Sequence, residues 1–256
     1  MIFDTHCHLY DASYEKDPKE IIRNSLNNNV GLMMIPGDTL ANSQKALHLA
    51  SCFNEVYCGV GVHPESVEEE DIKITRETLF ELSKNNKVKA IGEIGLDYYW
   101  RKDEKHIEKQ KMFFIEQIKI ANELHLPIIV HDREAHKDTI DILKQCPPLY
   151  GCVIHCFSGS LEMMKECVKL GFYIGLDGPV TYKNAVVPKE VAKAVPLERL
   201  LLETDAPYLP PVPFRGQKNY PEYIKYIIKE IAALRNVTEN EIEETTFSNG
   251  KVFFGV

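Results

Sequence analysis

The chain has 256 residues, 44% of them hydrophobic and 27% charged, with a net charge of −8. That composition suits a globular protein with a sizeable core, and its charge excludes a protein that coats nucleic acid through a basic stripe. The seven cysteines (Cys7, Cys52, Cys58, Cys146, Cys152, Cys156 and Cys167) are odd in number and contain no CxxC pair, which argues against a disulfide framework or a tetrathiolate zinc site.

The first apolar run, at 1–3, leads into Asp4 and the pair His6 and His8. Further runs follow at 30–37, 56–64, 88–97, 126–133, 151–159, 172–179 and 200–209. They are rich in β-branched residues and nearly continuous, the pattern of strands covered on both faces. The segments between them carry helical spacing. Over 103–124, Ile107, Phe114, Ile115, Ile118, Ala121 and Leu124 fall on one stripe, with Asp103 as the N-cap and Pro127 opening the next strand.

The strand-to-strand interval approximates the ~30 residues of a βαβ unit. Eight such units predict an α/β fold, a (β/α)8 TIM-type barrel, spanning residues 1–256 as one domain with its active site at the carboxyl ends of the strands. No GxGxxG or GxxxxGK[ST] turn follows any strand, so a nucleotide-binding open sheet lacks its usual support. After the eighth run come a Pro-rich loop and two closing helices, the second opened by a capping box of Thr238 and Glu241. No apolar run approaches the ~20 residues of a membrane helix, and no basic-then-apolar leader precedes Phe3. The expectation is a soluble cytoplasmic protein that makes no membrane contact.

The last residues of the predicted strands are His6 and His8, then His63, Glu93, His131, His155, and finally Glu203 and Asp205. A lone strand histidine is usually a hydrogen-bonded structural residue. Here separate strands deliver metal-type side chains to one rim, which independent accidents do not explain. Residues i and i+2 of a strand share a face at ~3.3 Å per residue. His6 and His8 therefore converge while Cys7 faces away, and Cys156 is expected to point outward likewise. The same alternation pairs Glu203 with Asp205 and His131 with Arg133. The remaining histidines, His48, His106, His125 and His136, are expected to face solvent. Imidazole and carboxylate donors suit zinc, manganese or magnesium. His6, His8, Glu93 and Asp205 can hold one ion and Glu93, His131 and His155 a second, with Glu93 bridging two divalent metal ions about 3.5–4 Å apart.

The blocks "DTHCHL", "GVHP", "IGEIGLDYY", "HCFSG" and "LLLETDAPYLPPVPFRGQKN" resemble, in order and across essentially the whole chain, the signatures of the TatD family of metal-dependent hydrolases. The resemblance implies a TIM-type barrel of the amidohydrolase-like kind and a divalent-metal site, in a family that includes deoxyribonucleases and 3′→5′ exonucleases. It implies that His6, His8 and Asp205 bind the first metal, that Glu93 bridges, and that His131 and His155 bind the second. It also implies that His63 and Arg133 face the substrate phosphate. Asp132 departs from the small residue expected after His131.

The chemistry expected is phosphodiester hydrolysis of DNA or a similar substrate, with Glu93 and Asp205 as catalytic carboxylates and Asp205 as general base. Glu203 is expected to orient a ligand histidine, and Arg215 to pin the long loop. A metal-dependent amidohydrolase or esterase, for example one deacylating a nucleic-acid end, is the alternative, and a non-catalytic metal-binding protein a weaker one. No obligate protein partner is evident and a monomer is favoured.

Overall fold

The computed structural model describes residues 1–256. Eight parallel strands stand in sequential order: β1 (Ile2–Asp4), β2 (Val30–Pro36), β3 (Val56–Val60), β4 (Val88–Asp97), β5 (Ile128–Arg133), β6 (Cys152–Ile154), β7 (Tyr173–Leu176) and β8 (Leu200–Leu202). Seven helices connect them: α1 (Pro18–Asn27), α2 (Leu40–Ser51), α3 (Ile72–Leu82), α4 (Glu104–Leu124), α5 (His136–Gln145), α6 (Leu161–Lys169) and α7 (Val186–Ala194). Two more, α8 (Ile224–Arg235) and α9 (Glu239–Phe254), follow β8. The predicted barrel is therefore present. The predicted caps are too: Asp103 accepts from the His106 amide at 3.0 Å and Thr238 from the Glu241 amide at 3.1 Å. No helix is long and apolar enough to cross a membrane.

The strand residues divide into two buried sets. Ile128, Val130, Cys152, Ile154, Leu200 and Leu202 face the surrounding helices as part of the large core. Their neighbours Ile129, Val153 and Leu201 join Phe3, Met34 and Ala90 in a second cluster on the barrel axis, as strand alternation requires. Phe253 and Phe254 of α9 plug this cluster from below, with the Phe3 and Phe254 rings 5.7 Å apart. Two residues further along each strand, the apolar filling gives way to His131, His155 and Glu203. The floor of the site is thus the apolar layer that fills the barrel.

Closure between β8 and β1 lies beyond the ends of both short strands. The Thr5 amide donates to Leu202 O at 3.0 Å, the Asp205 amide to His6 O at 2.9 Å and the His8 amide to Ala206 O at 2.7 Å. Cys7 and Ala206 are bridge partners. The Asp4 carboxylate, fully buried, accepts from the Thr204 amide at 3.0 Å, the Thr204 hydroxyl at 2.6 Å and the His6 amide at 3.3 Å. Removing it orphans three buried donors. Asp4→Ala is expected to lower the unfolding free energy by about 2–4 kcal/mol, as read by urea denaturation.

Candidate metal centre

The seam fixes the first half of the site. Cys7 is fully buried, its amide 3.0 Å from Met34 O and its thiol directed at the same carbonyl. It is the expected spacer, and its neighbours turn inward together. The Nε2 atoms of His6 and His8 stand 3.0 Å apart. Glu93 Oε2 lies 3.2 Å from the first and 3.5 Å from the second. Asp205 Oδ1 closes the group at 3.7 and 3.4 Å.

The other oxygen of Glu93 serves the second half. Oε1 lies 2.9 Å from His131 Nδ1, 2.8 Å from His155 Nε2 and 3.5 Å from His63 Nε2. One carboxylate therefore faces two separate histidine sets, one with each oxygen. Glu93 reaches this position because the β4–β5 register shifts between Ile91 and Ile94. Gly95 allows the tight β4–β5 pairing that follows, since with φ at +146° a Cβ there would come within 2.0 Å of the His131 carbonyl oxygen.

The outer nitrogens of His8 and His131 are hydrogen-bonded as well, whereas His6 Nδ1 and His155 Nδ1 have no hydrogen-bond partner. The Tyr10 hydroxyl donates to Pro36 O at 2.8 Å, so at 3.0 Å it accepts from His8 Nδ1–H and leaves Nε2 a lone pair. His131 Nε2 lies 3.0 Å from Asp97 Oδ2. Behind His155, Glu203 Oε1 stands 3.5 Å from Nδ1 and accepts from the Cys156 amide. Such backing orients a metal-binding imidazole and raises its basicity. His63 differs: its Nδ1 accepts from the Glu65 amide at 3.2 Å. Its neutral form therefore carries a proton on Nε2, making that atom a donor rather than a ligand.

Charge explains what the cluster is built to hold. Every ion-pair partner of Glu93 and Asp205 is a histidine; no lysine or arginine reaches either. Burial pushes Glu93 up, but the surrounding histidines, led by His155, hold it well below the usual carboxylate range. Asp205 is likewise lowered, against burial, chiefly by its hydrogen bond with His8. Burial lowers His131, yet hydrogen bonds with Asp97 and Glu93 raise it to about 9. Burial drives His63 the other way, to about 3, with His131 adding to the effect. Converging imidazole and carboxylate donors at this spacing, with no lysine or arginine among them, fit divalent metal ions.

The structure brings together His6, His8, His63, Glu93, His131, His155 and Asp205, with Glu203 directly behind. Arg133 stands at the rim of the same cleft of about 660 Å³. Two expectations are corrected. Cys156 lines the cleft rather than pointing away, its Sγ 3.2 Å from Asp177 Oδ2, because a φ of +44° breaks the strand alternation there. His106 is buried rather than solvent-facing, its Nδ1 3.0 Å from Glu68, because α4 packs on the 3₁₀ turn Pro64–Glu69. Asp97 and Tyr10 were not foreseen as partners of the histidines. Asp97 closes the β4 run four residues after Glu93, which is a legible signal; the reach from Tyr10 to Pro36 has none in the sequence. Asp132 turns away from the cluster to meet His136 Nδ1 at 2.8 Å and the Thr139 hydroxyl at 3.2 Å. Arg215 lies over the Tyr182 ring at 4.3 Å, as a loop pin would.

A profile of TatD-related DNases matches residues 3–255. The chain belongs to the TatD family. An uncharacterized metal-dependent hydrolase, YabD, of Bacillus subtilis is 42% identical over the full length of both chains. A protein of Escherichia fergusonii named 3′-5′ ssDNA/RNA exonuclease TatD is 34% identical, covering 100% of this chain and 99% of that one. Among solved structures, the TatD homologue YJJV of Escherichia coli K12 superimposes with a TM-score of 0.92 at 34% identity, covering 100% and 98% of the two chains. Like its relatives, this chain is a metal-dependent hydrolase.

In a TatD-family hydrolase built this way, metal must displace protons. With His131 raised to about 9, the ring is protonated below that pH, and an ion held by His131 would bind only as the proton leaves. Affinity for manganese or zinc is expected to rise from pH 6 to 9. Calorimetry in buffers of different ionisation enthalpy should record proton release at pH 7; an affinity flat across that range would contradict the reading.

Proposed function

We propose that this TatD-family hydrolase cleaves phosphodiester bonds at the ends of single-stranded nucleic acid, with the 3′→5′ exonuclease character named for the Escherichia fergusonii relative. The observation that carries the reading is the Glu93 carboxylate, which offers one oxygen to each of two histidine sets. On this reading His6, His8 and Asp205 would hold one divalent ion and His131 and His155 another, with Glu93 serving both. Bound there, the ions supply a water activated near neutral pH and offset charge on the phosphoryl oxygens.

The chain's own residues do the rest. Asp205 is ionised at neutral pH and faces the cleft, so it accepts the proton of the attacking water. His63, neutral down to about pH 3, presents its Nε2–H to a non-bridging phosphate oxygen throughout the working range. Arg133 presents a planar fork that matches two phosphate oxygens at once. Asp97 and Glu203 keep His131 and His155 aimed. Five carboxylates and one arginine line the cleft, so a polyanion is repelled unless divalent ions offset the carboxylates.

Chelator-stripped protein is expected to lose cleavage of an end-labelled single strand and to regain it with manganese, magnesium or zinc. Asp205→Asn should fold normally and lose roughly 100-fold or more in rate. Turnover of an ester or amide panel, with none on the single strand, would overturn the phosphodiesterase reading in favour of acyl hydrolysis. His63→Gln and Arg133→Ala should each raise KM on the strand, measured by steady-state kinetics, while leaving metal content intact.

A further inference from the structure

The mouth of the cleft carries more aromatic surface than the hydrolysis needs. Trp100 and Tyr99, just after β4, are 61% and 43% exposed, and Tyr208, after β8, is 50% exposed. β4 and β8 lie on opposite sides of an eight-strand ring, so Trp100 and Tyr208 flank the cleft from opposing walls, and both line it. The Arg133 guanidinium lies over the Tyr99 ring at 3.9 Å and within 5.4 Å of the Trp100 centroid. The Tyr99 and Trp100 rings meet edge to face at 4.7 Å. Tyr99 is thus occupied by the cation and by its neighbour, while the larger ring of Trp100 is left mostly bare. Arg133 has no carboxylate partner, in contrast to nearby Arg101 and Lys102, which pair with Asp103 and Glu134 at 3.5 and 3.1 Å.

We propose that Trp100 is the stacking platform for a base of a single-stranded nucleic-acid substrate, held beside Arg133 so that base and phosphate are gripped together. The inference rests on the phosphodiesterase reading and adds to it what recognises the strand. The electrostatics require such a device. The chain is acidic, and with divalent ions spent on offsetting the cleft carboxylates, one unpaired arginine leaves little charge to hold the rest of a polyanion. Stacking needs no charge, and every base offers a π-face, so the platform favours unpaired bases over duplex and tolerates any sequence.

The chain contains one tryptophan, so its emission reports this ring alone. The test uses the full metal-loaded protein and a short oligothymidylate whose terminal linkages are phosphorothioates to slow cleavage, against a strand of equal length with abasic terminal sugars. The base-bearing strand is expected to quench Trp100 emission saturably, and the abasic strand to bind about tenfold or more weakly with little quenching. On unmodified strands, Trp100→Ala should raise KM about tenfold or more with kcat within about threefold, and should no longer distinguish base-bearing from abasic ends. Trp100→Phe should restore most of that distinction. A Trp100→Ala enzyme that cleaves the base-bearing strand with wild-type KM overturns the platform and leaves the phosphodiesterase reading intact. Neither quenching nor cleavage on any strand overturns both.

Discussion

The site depends on how the barrel closes. β1 and β8 contribute only three regular residues each, too few to align a catalytic rim by ladder pairing alone. Closure is instead completed beyond them, by the bonds among Thr5, His6, His8, Leu202, Asp205 and Ala206 and by the buried Asp4 carboxylate on Thr204. These are the segments that carry His6, His8 and Asp205. The hydrogen bonds that shut the barrel therefore also set the spacing of three candidate ligands. A seam elsewhere on the ring would leave those side chains on frayed strand ends.

A second constraint is electrostatic. Glu93 is 3% exposed and surrounded by five histidines. Burial alone would neutralise it, and the imidazoles alone would surrender their protons to escape the same environment. Together they stay charged in part: Glu93 remains ionised and helps to raise His8, His131 and His155, while burial keeps His6 and His63 lowered, so the protein stores a compact set of donors in a state that a cation can exchange for protons. Asp97 and Tyr10 hold two of the rings from behind by hydrogen bonds, and the Glu203 carboxylate stands behind a third at 3.5 Å. They turn the cluster from a loose coincidence of side chains into a set of aimed lone pairs.

Much of this was legible in the sequence because it follows from period two. Ile129 to His131, Val153 to His155 and Leu201 to Glu203 each step by two residues, from barrel filling to site. A strand ending in such a residue announces its face. Reading failed where the backbone left that period. Cys156 takes a left-handed conformation and swings into the cleft beside Asp177. Glu93 obeys no simple alternation with Ala90, because the register slips between Ile91 and Ile94 and Gly95 accommodates the pairing that follows; its role was legible only from its company. His106 was misread because helical position does not reveal which loop a helix covers. Tyr10 was invisible because its partner Pro36 belongs to another strand.

Net charge was the least direct of the signals. A value of −8 excluded a coating protein, but it is not evidence against a polyanionic substrate when five of the carboxylates line the cleft that holds the candidate metal ligands. Under the proposed function, carboxylates in the cleft would draw in cations, and the cations would offset the field that repels phosphate. That arrangement separates two tasks which a basic protein performs with one set of side chains. Under the proposed function, the charge that meets phosphate is borrowed, present only when metal is bound. Affinity for the rest of the substrate must then come from groups whose strength does not depend on charge, and the exposed aromatic rings at the cleft mouth are groups of that kind.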